Sequence, residues 1–179
     1  MKGETMQRKI AMGPKPKKVS FQIIEDPSPA HDVLSDALAW HPEINGATIK
    51  LAWRKGTKAD VDGRIVLGRC VKVSDLHREF FNADFIVVLN REYWDAFTDK
   101  QRLALMDHEL SHAAAKEDKN GNEMYDERDR QVFRTRKHDL EEFRDVVERH
   151  GLYKADLVAF AEVMRSAKKT PLFGEKKAS

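Results

Sequence analysis

Residues Thr98 to Ala115 read TDKQRLALMDHELSHAAA. Thr98-Asp99-Lys100-Gln101 is a capping box, in which the Thr hydroxyl and the Gln side chain satisfy each other's backbone N–H groups at the start of a helix. Leu105, Met106, Ala113, Ala114 and Ala115 are small or apolar, as a buried helix requires. The spacing predicts a helix from about Asp99 to Ala115. Inside it lies His108-Glu109-Leu110-Ser111-His112, whose two histidines, at i and i+4, stand one turn apart on the same face. Two imidazoles so placed can reach one cation at about 2.0 to 2.1 Å. Glu109 is rotated off their line by about 100° and can stand beside a metal-held water instead of on the metal. This is the H-E-x-x-H arrangement, in which a cation lowers the pKa of its water towards about 7 and the glutamate takes the proton as water attacks a carbonyl. The pattern alone recurs by chance in roughly one chain in a hundred of this length. Its weight therefore comes from the capped, apolar helix around it.

A catalytic zinc takes three protein ligands and keeps one position open. His31 and His41 flank an expected first helix, His77 lies in a short link, and His150 ends a helix whose C-terminus already favours a cation. His138 stands at the junction of an expected return strand and the next helix, far enough from His112 for the chain to leave and come back. It is the best placed third ligand. Glu141 and Glu142 are its rivals, since a glutamate from a later helix can complete a zinc site. Glu142 is also explained by a second capping box, Asp139-Leu140-Glu141-Glu142. Glu141 suits a solvated face or a supporting contact, and Asp139 is either an N-cap or a partner that orients an imidazole. An oxyanion partner is needed as well, for which Tyr125, Tyr153 or an Arg between 128 and 136 is available.

Around this centre the chain alternates strand and helix signals. Ser28-Pro29 opens a helix carrying Val33, Leu34, Ala37 and Leu38, which ends at Trp40 before His41-Pro42. Residues 47–54 (ATIKLAWR) alternate apolar and polar and read as a strand, as do residues 64–74. Residues 74–81 are a short helix or link, and Asp84 to Asn90 (DFIVVLN) is a buried strand. Residues 116–130 are polar, contain Asn120-Gly121-Asn122, and read as an exposed loop or hairpin tip. Residues 131–137 return as a strand, a helix follows to His150-Gly151, and a last amphipathic helix from Lys154 carries Leu157, Phe160, Ala161 and Met164 on one face. The expected fold is α+β, a small and mainly antiparallel sheet packed on the HELSH helix with further helices beyond it. One strand, Asp84 to Asn90 or its neighbour, is expected to offer its edge to an extended peptide.

The chain has 179 residues, enough for one domain with a real core. Charge is nearly balanced overall at +2 but unevenly placed. Residues 1–20 net +5 and residues 165–179 net +4, which leaves −7 on the body between them. Residues 1–18 are expected to be a basic flexible arm, 19–168 the domain, and 169–179 a basic tail. Such a body is no dedicated nucleic-acid binder, although the basic ends allow weak contact with phosphates. Cys70 is the single cysteine, which excludes an internal disulfide and a thiolate zinc site. No secretory signal opens the chain, and its apolar runs fall far short of the roughly 20 residues that cross a bilayer. A cytoplasmic protein without a membrane partner is the expectation.

The stretch Asp84 to Asn90 with Trp94, the motif Asp107-His108-Glu109-Leu110-Ser111-His112, the motif His138-Asp139-Leu140-Glu141-Glu142-Phe143, and Arg149-His150-Gly151 together resemble the metallopeptidases found widely in bacteriophages and prophages, themselves similar to SprT-like zinc proteases. The resemblance covers roughly Ile49 to Gly151. It implies a minimal zincin-like fold with His108, His112 and His138 on Zn2+, Glu109 catalytic, and a protein or peptide substrate in the bacterial host cell. Two other functions remain compatible with the same residues. One is a zinc amidase acting on a non-protein amide, and the other is a zinc-stabilised binding protein that grips a host factor without catalysis.

Overall fold

The computed structural model describes residues 18–140 and 144–167, with side chains from 146 onward in the second stretch. The basic arm up to residue 17, the tail from 168, and Glu141 and Glu142 lie outside the described residues.

The elements follow in the order β1 (Ser20–Ile23), α1 (Pro29–Leu38), a 3-10 turn (Pro42–Ile44), β2 (Ile49–Lys55), β3 (Gly68–Lys72), α2 (Asp75–Phe81), β4 (Phe85–Asn90), α3 (Arg91–Ala96), α4 (Asp99–Leu110), β5 (Ala113–Ala115), β6 (Phe133–Thr135), α5 (Arg144–His150) and α6 (Ala155–Ser166). Four strands form one sheet in the order β1-β2-β4-β3, and β5 and β6 form a separate ladder. The pairings β1 with β2 and β3 with β4 are antiparallel, while β2 and β4 run parallel. The architecture is therefore α+β with a mixed sheet.

Alternation decides which face of that sheet is buried. Leu51 and Trp53 of β2 and Phe85, Val87 and Leu89 of β4 point one way and are buried. Ala30, Leu34 and Ala37 of α1 and Met106 and Leu110 of α4 join them in one core, so the helices lie on that single face. Trp53 meets Trp94 edge-to-face at 5.8 Å, and the Arg91 guanidinium lies 4.5 Å over the Trp53 ring. At the start of β4, the buried carboxylate of Asp84 accepts from Thr48 N at 2.7 Å and pairs with Arg78 at 2.6 Å.

Several expectations are corrected. The helix opened by Thr98 stops at Leu110, because the backbone of Ala113–Ala115 pairs with Phe133–Thr135 and Ala113 and Ala115 are buried in that ladder. Tertiary pairing outweighs the helix preference of three consecutive alanines. The strand expected over 64–74 is confined to Gly68–Lys72. β4 lies between β2 and β3, so the free edge on its side of the sheet belongs to its neighbour β3. Ser28 precedes α1 as expected, but its hydroxyl is bonded to His31 Nδ1 at 2.8 Å and makes no bond to the helix backbone. The strand β1 and the short helix α3 had no distinct sequence signal.

Candidate metal centre

The capping box of α4 forms as expected. Thr98 N donates to Gln101 Oε1 at 2.9 Å, and Gln101 N donates to Thr98 Oγ1 at 3.4 Å. This helix delivers His108 near its C-terminal end. Ser111 still has helical dihedrals and its N–H donates to Asp107 O at 2.9 Å, which carries the turn one residue further. His112 N donates to Glu109 O at 3.2 Å. The imidazoles of His108 and His112 consequently meet edge to face with ring centroids 5.2 Å apart.

His138 arrives through the β5–β6 ladder. That ladder runs one step past its strands, with Arg136 N donating to His112 O at 2.8 Å, and His112 Nδ1–H donating to Arg136 O at 2.9 Å. The second bond fixes the tautomer and leaves His112 Nε2 free to bind a cation. Two residues on, the His138 ring lies 4.5 Å from that of His112 and 5.1 Å from that of His108. His138 Nε2 stands 3.3 Å from His108 Nε2 although the two residues are thirty positions apart. One ligand atom from each of the three histidines lies within 4.8 Å of the others. Burial first, then the two neighbouring imidazoles, hold His108 below its ordinary pKa, towards the unprotonated form that ligates. Three imidazole nitrogens converging beside a water-accessible cavity are a donor set that fits a metal such as zinc with a position left open.

Glu109, close enough to His112 to feel its charge, lies beneath β3 against Gly68 and is only 3% exposed. Burial raises the pKa of its carboxyl, opposed by His112 and by the backbone N–H of Cys70, which donates to it. The residues flanking β3 continue its pairing with the β4 segment, Asn90 N donating to Leu67 O and Val73 N to Asp84 O, both at 2.8 Å. Alternation then directs the N–H and C=O of Gly68, Cys70 and Lys72 to the free edge. The Cys70 thiol, half-buried beside Glu109, has its pKa pushed up to about 12, first by burial and then by that carboxylate.

The other histidines have partners of their own. His31 is bonded to Ser28, His77 to Ser74 Oγ at 2.8 Å, and the buried His41 to Asp107 Oδ1 at 2.8 Å. Among the oxyanion candidates, Tyr125 donates to Glu123, and Arg128 and Arg130 pair with Glu79. Arg136 lines the cavity of the histidines but is paired with Asp139 at 2.7 Å. Asp139 is thus engaged with Arg136, and the expected second capping box extends into undescribed residues. No local motif marked the contacts that Gly68 and Cys70 make with Glu109 or that His41 makes with Asp107.

Two histidines four residues apart at the end of α4, a third returned by a short ladder, and a buried glutamate in the same segment make an α+β domain with side chains able to hold a metal ion, as a metallopeptidase requires. A family model described as putative phage metallopeptidase matches residues 24–169, and the chain belongs to that family. Membership implies a metal ion and a peptide or protein substrate. No curated protein and no solved structure matches the chain. Among the described residues, no helix is long and apolar enough to cross a membrane.

Proposed function

We propose that the protein is a zinc-dependent endopeptidase in which His108, His112 and His138 hold the metal and Glu109 is the general base. The observation that carries this reading is the convergence of three imidazole nitrogens within 4.8 Å next to a glutamate that is not one of them. Bound zinc supplies Lewis acidity and makes a water nucleophilic near neutral pH. The chain's own residues do the rest. Glu109 accepts a proton from the attacking water and returns it to the amide nitrogen as the C–N bond breaks. Burial suits it to this role, because a carboxylate raised from its ordinary value is a better base near neutral pH.

The free edge of β3 fits an extended peptide. Gly68 and Lys72 direct backbone donors and acceptors outward on either side of Cys70, whose N–H is held by Glu109. A strand added there would carry its scissile carbonyl past the base.

The test is Glu109→Gln in the full chain. Fold and zinc content are expected to match wild type, while cleavage of host-lysate proteins falls by about 10²- to 10⁴-fold. Unchanged turnover would refute the mechanism. Absence of zinc-dependent cleavage by wild type would favour a binding protein that keeps zinc for stability.

A further inference from the structure

We propose that Phe160 of α6, with Leu140, selects substrates in which a bulky apolar residue adjoins the scissile bond. This inference rests on the peptidase reading and names the substrate class for that site. The three histidines line a cavity of about 380 Å³, large enough for a side chain as well as the reacting groups. Its remaining walls are chemically uneven. Arg136 and Asp139 neutralise each other. Leu140 and Phe160 are the large apolar side chains in the lining.

Phe160 is not explained by packing. Of the α6 side chains only Leu157 is buried, and it anchors the helix. One turn along the same face, Phe160 is 45% exposed and turned into the cavity of the metal ligands. A phenyl ring left open to water beside a polar cluster gains by being covered, and an apolar side chain entering that cavity covers it. Met164, one further turn along α6, is also exposed. Lys137 also lines the cavity, so a basic side chain entering the same space would lose hydration against the ring and meet a like charge.

The experiment compares zinc-loaded full-length wild type, Phe160→Ala and Phe160→Leu on a mixed-sequence peptide library, with zinc content measured for each. Wild type is expected to enrich Leu, Met or Phe at one position adjoining the cleaved bond. Phe160→Ala should lower kcat/KM for those peptides by about 10- to 100-fold through KM, and leave Ala-containing peptides within about threefold. Phe160→Leu should restore most of the preference. If Phe160→Ala does not fold, Leu140→Ala serves in its place with the same expected direction. Cleavage by wild type with no apolar preference, or an unchanged preference in the Ala variant, would overturn this inference and leave the peptidase reading intact. No zinc-dependent cleavage by wild type of any peptide would overturn both.

Discussion

A β-carbon at position 68 would lie 2.8 Å from the carboxyl carbon of Glu109. Gly68 belongs to β3 opposite Leu89, so its missing side chain would point inward, into the space that the glutamate fills. Glycine is required there by the close approach of the carboxyl, and no left-handed backbone is involved.

Gly68→Ala is therefore expected to displace the end of the Glu109 side chain and leave the strand in place. Zinc content should be unchanged and stability only modestly altered, while kcat falls by about 100-fold, as for a catalytic group moved by about 1 Å. Metal analysis together with turnover on one peptide checks this. Wild-type turnover would show that Glu109 acts from a position other than the one beneath β3.

In the zinc reading His138→Ala removes a ligand, so zinc affinity should fall by more than the roughly 10- to 100-fold that loss of an outer supporting contact costs. Competition with a zinc-binding dye measures it. Retention of wild-type affinity would pass the third position to Glu141 or Glu142.

The pair between His41 and Asp107 ties the end of α1 to the turn that presents His108. His41 is 7% exposed, and its other contact is Glu43 at 3.4 Å. Asp107→Ala should lower unfolding free energy by about 1–3 kcal/mol, because it strands a buried imidazole. His41→Leu combined with Asp107→Ala should cost less than the two changes summed, by at least about 0.5 kcal/mol. Urea denaturation of the four proteins gives the coupling, and strict additivity would dissolve the pair.

Asp126 lies in the hairpin between β5 and β6. The Arg130 backbone N–H, its guanidinium and the Arg128 N–H hold the Asp126 carboxyl down from 3.8 to about 2. A folded-state pKa below the unfolded value adds stability that is complete above the unfolded pKa and disappears as pH falls through the folded one. The difference in urea midpoint between wild type and Asp126→Asn should thus be widest towards neutral pH and close between pH 3.8 and about 2. A difference that stays constant over that window would assign Asp126 a role independent of its charge.

Much of the site was legible because its parts are local. The capping box, the i and i+4 histidines and the intervening glutamate all follow from the helical repeat, and the alternation of residues 49–54 and 85–89 follows from the strand repeat. His138 could be singled out because it adjoined a return strand and a helix start. What Ala113–Ala115 do was not legible, since alanine favours a helix in isolation and becomes a strand only where Phe133–Thr135 is there to pair with it. The same holds for β1, a fully exposed strand whose only pairing among the described residues is to distant β2.

By itself, the sequence determined the helix opened by Thr98 and the close spacing of His108, Glu109 and His112, because residues within one helical turn meet whatever the rest of the chain does. Tertiary structure alone decided that His112 is oriented by the carbonyl of Arg136, that His138 closes the triad, and that Glu109 lies under Gly68 and Cys70. Each of these relations joins segments far apart in the chain. Their register is set by backbone pairing and core packing, which no periodicity in a single segment encodes.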